Sequence, residues 1–272
     1  MILQERLPAL AALALPVLAG ALWMSLAGAP AQYPLINLAA LGIMAPWVLF
    51  GRGPHTAASR TILFAVIVVM MLSALAFGPQ VASVTGDSVR RWFAAGPIAI
   101  NTGLVAIPPL AVLAARHRKI GPFYLLAALG VAFLQPDAAA GFALTFAAVG
   151  IHHVTQRWPF GAVAIVGFFA SIAMALRGEI APQPFVERVL VDAASQNIAF
   201  AVLLFASLAG SFALMLLALP LSREKRFALA GALFGFAITA TMTHYPYPLI
   251  GYGASAIIGF GIALGLNRIP AR

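Results

Sequence analysis

Two carboxylates and a pair of arginines carry most of the chemistry this sequence could perform. Asp137 closes the stretch Phe133-Leu134-Gln135-Pro136-Asp137, and Glu187 opens the stretch Glu187-Arg188-Val189-Leu190-Val191-Asp192. An ionised carboxylate within hydrogen-bond reach of a substrate hydroxyl can take its proton. Arg90 and Arg91, followed by Trp92, offer planar forked donors that match phosphate oxygens, beside an indole suited to a membrane interface. A phospholipid or a lipid-linked pyrophosphate is the ligand such a pair would fit. Each residue also has a plainer use. Asp137 would serve as a helix cap, the arginines would snorkel to ordinary headgroups, and Arg188 and Asp192 would form a local pair.

Further polar groups cluster around these. Arg188, Asp192 and Gln196 recur every four residues, so on one helix they form a polar stripe that could line a cavity. Glu187 is expected to be the exposed carboxylate nearest the membrane surface. In His244-Tyr245-Pro246-Tyr247-Pro248-Leu249-Ile250-Gly251-Tyr252-Gly253-Ala254-Ser255, two prolines and two glycines prevent a regular helix at the start. Backbone freed in this way needs partners, and at membrane depth it is tolerated where it is buried or lines a cavity. The histidines have no metal-site spacing: His244 stands alone, and His152-His153 reads as interfacial. With no cysteine, disulfides, thiol nucleophiles and cysteine metal sites are excluded.

These residues must be positioned by membrane helices. Of 272 residues, 62% are hydrophobic and only 8% charged, which is too little polar surface for a soluble domain. The expected fold is all-α, a single polytopic bundle. Ten spans are expected, at about 7–28, 34–51, 60–78, 94–115, 120–135, 136–153, 158–177, 192–219, 226–243 and 248–267. Gln135 is expected to end one span, Pro136 to open the next, and Asp137 to fall in its first turn, where the helix dipole favours negative charge. The first span is too long for the apolar region of a signal peptide and is kept as a span.

Net charge is +9, yet the basic residues lie in short clusters between apolar runs, as membrane topology requires, so nucleic-acid binding is not expected. One set of connections holds Arg6, Arg52, Arg60, Arg116, Arg118, Lys119, Arg157, Arg223, Lys225, Arg226, Arg268 and Arg272, and the other only Arg90, Arg91, Arg177 and Arg188. Twelve against four places both termini in the cytoplasm. Asp87, Asp137, Glu179, Glu187 and Asp192 then lie on the far side with the longest loops, about 79–93 and 178–191, where function is expected.

Three stretches, in order, resemble the shape, elongation, division and sporulation (SEDS) family, the RodA/FtsW-type lipid II polymerases. Residues 86–97 resemble its glycine, Arg-Trp and Gly-Pro segment; 134–137 match its Leu-Gln-Pro-Asp; 246–255 resemble its Pro-x-Pro-Phe-x-Ser-Tyr-Gly-Gly-Ser. The likeness runs from about residue 60 to about 267, within one transmembrane domain. It departs where the family has Gln-Pro-Ser-Glu and this chain has Asn101-Thr102-Gly103-Leu104, and where Ser195-Gln196 replaces paired glutamates. The family's large outward loop is short here, with Glu187 in the place of its catalytic aspartate.

The resemblance implies a multi-pass protein of the bacterial cytoplasmic membrane that works in cell-envelope biogenesis. Its chemistry would join undecaprenyl-pyrophosphate-linked sugars on the outer face, as a peptidoglycan glycosyltransferase. Glu187 would be the candidate base, and Asp137 an alternative base or a structural residue. Arg90, Arg91, Trp92, Gln135, Asp192, Gln196, Tyr252 and Ser255 would contact substrate. A divalent cation, Mg or Mn, is compatible with that chemistry, although the sequence shows no dedicated metal site. A single-span transpeptidase is the partner implied, and membrane lipid the surroundings. Two other readings stay open: a non-catalytic scaffold or lipid-binding subunit with the same fold, and a transporter using the breaks at Pro136 and 246–253.

Overall fold

The computed structural model describes residues 2–96 and 98–266; Pro97, Arg268 and Arg272 lie outside the described residues. The described chain forms eleven helices: α1 (Ile2–Leu26), α2 (Gln32–Phe50), α3 (Ala57–Phe77), α4 (Thr102–Arg116), α5 (Gly121–Leu134), α6 (Ala138–Thr155), α7 (Trp158–Gly178), α8 (Val189–Gln196), α9 (Ile198–Leu217), α10 (Arg223–Met242) and α11 (Ala254–Gly265). Six, namely α1, α2, α3, α6, α7 and α9, are long and apolar enough to cross a membrane. The chain is therefore a helical, membrane-type bundle. It is not purely helical, since β1 (Val81–Ala82) pairs antiparallel with β2 (Ser88–Val89), and β3 (Trp92–Ala95) with β4 (Ile98–Asn101).

Helix α4 is the axis, buried from Thr102 to Ala115 and packed by α3, α5, α6, α10 and α11. Helices α6 and α10 pack backbone to backbone, because a Cβ on Gly231 would meet the Phe146 carbonyl and one on Gly235 the Phe142 carbonyl. Small residues let two backbones touch, and packing of this kind replaces the hydrophobic drive that is missing between helices in lipid. Large apolar side chains are exposed on the outer helices, among them Val69 and Phe77 on α3, Ile165 and Phe169 on α7, and Val202 and Phe205 on α9. A surface of that kind suits hydrocarbon rather than water.

Three expected spans begin later than their apolar runs. Residues 94–101 belong to the β3–β4 hairpin, turned at Gly96 with φ +60°, and α4 starts only where the Asn101 side chain accepts from the Leu104 amide at 3.0 Å. A short apolar run reads alike as buried strand or helix, so periodicity alone misplaces this boundary. The run expected at 192–219 is broken at Asn197, whose extended backbone and side-chain bond to the Ala199 amide (2.9 Å) separate the short α8 from α9. The run expected from 248 becomes helical only at Ala254, after the Pro and Gly residues of the loop. Asp137 stands one position ahead of its expected place, as the N-cap of α6 rather than in its first turn.

The connections alternate between two ends. The turns 51–56, 117–120, 156–157 and 218–222 share one end with the described members of the basic set, and Arg116 reaches the Pro54 carbonyl across it (3.1 Å). Segments 78–101, 135–137, 179–188 and 243–253 meet at the other.

Candidate functional site

Arg91 is placed by the turn of chain between β2 and β3 and is 1% exposed. Its carbonyl accepts from the Thr102 amide (3.0 Å) and hydroxyl (3.2 Å), which fixes the hairpin to the start of α4. Its Nη2 donates to the carbonyls of Pro136 and Gly178 and to the Tyr245 hydroxyl (2.9 Å). The guanidinium also lies 4.4 Å from the centre of the Tyr245 ring. One side chain thus ties together the hairpin, the α5–α6 corner, the end of α7 and the loop before α11. Gly178 permits this, because a Cβ there would meet the Pro136 carbonyl and the Arg91 guanidinium. Arg90 points elsewhere, donating to the Leu75 carbonyl and Gln80 Oε1, both at 2.9 Å. The two arginines therefore do not form the paired outward grip expected of them. Neighbours in an extended segment project to opposite sides.

Gln135 and Asp137 are buried beside this node. Gln135 Nε2 donates to the Met71 carbonyl, and its Oε1 has no hydrogen-bond partner among the described residues. Asp137 Oδ1 accepts from the Ala140 amide (3.1 Å), and Gly103 of α4 packs directly over the carboxylate. Tyr245 accepts from the Ala138 amide (3.2 Å), and burial pushes its hydroxyl up to about 12.

Glu187, expected to be exposed, is 2% exposed. Its Oε2 accepts from the Gln183 amide (2.8 Å), closing the 183–187 turn on itself. Burial raises its carboxyl to about 7, against the opposing pull of the Gln183 and Glu187 amides and the Arg91 charge. Neither Glu187 nor Asp137 closes an ion pair with Arg91 among the described residues.

The loop 179–188 docks on the loop before α11. Tyr247 donates its amide to the Val186 carbonyl (3.1 Å) and Tyr252 to the Phe185 carbonyl (2.7 Å). Phe185, Arg188 and Leu249 are held at φ +66°, +56° and +66°. L-residues adopt that conformation at a cost of roughly 1 kcal/mol or more, so the surrounding bonds must hold it in place. Asn37, fully buried in α2, supplies two of them: Nδ2 donates to the Gly251 carbonyl (2.9 Å) and Oδ1 accepts from the Gly253 amide (3.0 Å). The unwound stretch thus finds its partners inside the protein.

Arg188 precedes α8 as its N-cap in a left-handed conformation, so it does not extend the stripe through Asp192 and Gln196. Those two residues instead face a groove of about 210 Å³, lined also by Trp23, Pro184, Phe185 and Ser195. Trp23 is fully buried, and its indole N–H has no partner among the described residues. Its ring lies 5.2 Å from Phe185; Tyr33 meets Phe185 edge-on at 6.3 Å and stacks on Tyr252 at 3.7 Å. Tyr252 therefore flanks the groove through Tyr33. Ser255 is separate, its Oγ accepting from the Asn101 amide (3.0 Å), and half-buried Trp92 lies opposite Asn101 in the hairpin.

Of the expected site residues, Arg91, Gln135, Asp137 and Glu187 lie buried at a closed node, Asp192 and Gln196 line an open groove with Tyr252 beside it, and Arg90, Trp92 and Ser255 belong to neither. Sequence reasoning missed Asn37, Tyr245 and Trp23. Asn37 had a signal, as an amide within the apolar run of α2; Tyr245 and Trp23 had none beyond residue type. Among the described residues no group of three or more His, Asp or Glu is placed to hold a metal ion. No family model matches the chain, and no curated protein matches it.

Proposed function

We propose that this chain is a SEDS-like membrane protein of cell-envelope biogenesis that acts as a non-catalytic scaffold or lipid-binding subunit. In this reading it crosses the bacterial cytoplasmic membrane ten times, through α1 to α7, α9, α10 and α11, with α8 lying on the outer surface and both termini in the cytoplasm. The carrying observation is the engagement of Arg91 Nη2 with Pro136, Gly178 and Tyr245. Arg91, within the first stretch that carries the resemblance, reaches the second at Pro136 and the residue just before the third at Tyr245, and its Nη2 holds loops together rather than facing a ligand. The outer face then offers a firm platform to a single-span partner, with the Trp23–Asp192 groove open beside it.

A second reading, polymerisation of undecaprenyl-pyrophosphate-linked sugars, is favoured by one observation. Glu187, in the place of the family's catalytic aspartate, has its proton affinity raised to about 7, where a general base works best near neutral pH. The two readings separate in one experiment. Purified chain, with and without a single-span transpeptidase and with Mg or Mn added, is given undecaprenyl-pyrophosphate-linked disaccharide. The scaffold reading expects no glycan polymer, and cells carrying Glu187→Gln that grow as wild type do. Polymer formed by the wild-type chain and lost in Glu187→Gln, by roughly 10²-fold or more, overturns it in favour of catalysis. External labelling of a cysteine placed at Ser222 would overturn the orientation on which both rest.

A further inference from the structure

At the opposite end, the α4–α5 and α6–α7 turns enclose a recess of about 480 Å³ lined by Arg118, Lys119, Gln156, Arg157, Trp158 and Pro159. Its cations differ from others at that end. Arg6 donates to the Val48 carbonyl, Arg116 to the Pro54 carbonyl and Arg226 to the Leu217 carbonyl, so those charges also secure helix ends. Lys119 and the Arg157 side chain have no hydrogen bond or ion pair among the described residues, and Arg118 pairs only with Glu224 (3.2 Å) at an exposed position. The recess is therefore lined by three cations and no acid.

The turns that present these charges are built. Gln156 is left-handed with φ +53°, and its Nε2 donates to the His153 carbonyl (2.8 Å). His152 Nδ1 lies 2.9 Å from the Arg157 carbonyl. Helices α5 and α7 both begin at the recess without a side-chain cap, which adds the positive ends of two dipoles. Below the rim the surface turns apolar at once: Ile120 is 50%, Phe123 68% and Trp158 77% exposed. Helix α7 packs against α5, and its exposed Ile165 and Phe169 carry that apolar surface further along.

We propose that this recess binds the phosphate of an anionic phospholipid, with the acyl chains lying along the α5–α7 surface. Guanidinium, ammonium and indole N–H donors above an apolar strip match a phosphodiester joined to hydrocarbon. A soluble phosphate would use the cations but not the strip. The site lies at the other end from the envelope-facing platform and does not depend on the scaffold reading.

The full chain, purified in a neutral detergent, is titrated with short-chain phosphatidylglycerol and with phosphatidylcholine, in the presence and absence of inorganic phosphate. Phosphatidylglycerol is expected to bind at least tenfold more tightly than phosphatidylcholine. The double variant K119Q/R157Q should lose that preference by roughly 10- to 30-fold, and each single change by severalfold. All are exposed positions, and an unchanged thermal midpoint confirms an intact fold. The control R52Q/R223Q removes two exposed cations from the same end outside the recess and should change the preference by less than twofold. Equal binding of the two lipids, or equal weakening by the control pair, overturns the site in favour of diffuse surface charge. Displacement by an equal concentration of inorganic phosphate overturns the lipid in favour of a soluble anion.

Discussion

The Arg91 node and the Arg118–Arg157 recess, at opposite ends of this bundle, use charged side chains in opposite ways. At the loop-rich end Arg91, Asp137 and Glu187 are each no more than 2% exposed; Arg91 holds carbonyls of two neighbouring segments, while Asp137 and Glu187 each hold a backbone amide of their own turn. At the other end Arg118, Lys119 and Arg157 are exposed around a recess. Burial makes the difference. A charge removed from water must be satisfied by the protein around it, and once satisfied it acts as a tie. A charge left at the rim remains available to a ligand. Charge type alone is therefore a poor guide to binding here, because Arg90 and Arg91, two of the four arginines at the sparsely charged end, are both used internally.

That contrast can be broken at its strongest point. Arg91→Ala leaves the Pro136 and Gly178 carbonyls and the Tyr245 hydroxyl without their shared donor, and should destabilise the protein by about 3 to 5 kcal/mol in detergent unfolding titrations. Stability unchanged within about 1 kcal/mol would show that the node does not hold the loops together.

Glu187 gives a pH-dependent test of the same node. Its carboxyl titrates near 4.5 when unfolded and about 7 when folded. Between those values the folded chain keeps a proton that the unfolded chain has released, so stability falls as pH rises through the window and levels off above it. The fall attributable to this group is at most about 3 kcal/mol. Glu187→Gln should remove it and leave the variant more stable than wild type near pH 8. A wild-type profile flat from about pH 5 to 7 would mean that burial does not govern this carboxyl.

Asn37→Ala removes two bonds to the unwound loop, at Gly251 and Gly253, and should cost about 2 kcal/mol. Amide hydrogen exchange should rise in residues 246–253 before it rises in α2. The smallest effect sharpens the comparison from the other side. Lys119→Gln and Arg157→Gln should each alter stability by no more than about 0.5 kcal/mol, because neither side chain ties elements together. A loss above about 1 kcal/mol would make the recess structural, like the node.

The sequence by itself determined the solvent and the alternation of the ends. Apolar runs of roughly 20 residues report on lipid whatever they pack against, and basic residues clustered between them report on the connections. It also marked Pro136 and the 246–253 stretch as breaks, since proline and glycine act locally on the backbone. The hairpin at 92–101 and the burial of Glu187 belong to tertiary structure. The hairpin and the buried loop depend on partners remote in the chain, Asn101 on Ser255 and Phe185 on Tyr252, while the stop at Asn197 rests on the extended backbone it adopts there and its bond to the Ala199 amide. The division of labour among the arginines is tertiary too. Residue type fixed their charge, and only the packing of four loops around Arg91 decided which guanidinium would be a tie and which would stay free for a ligand.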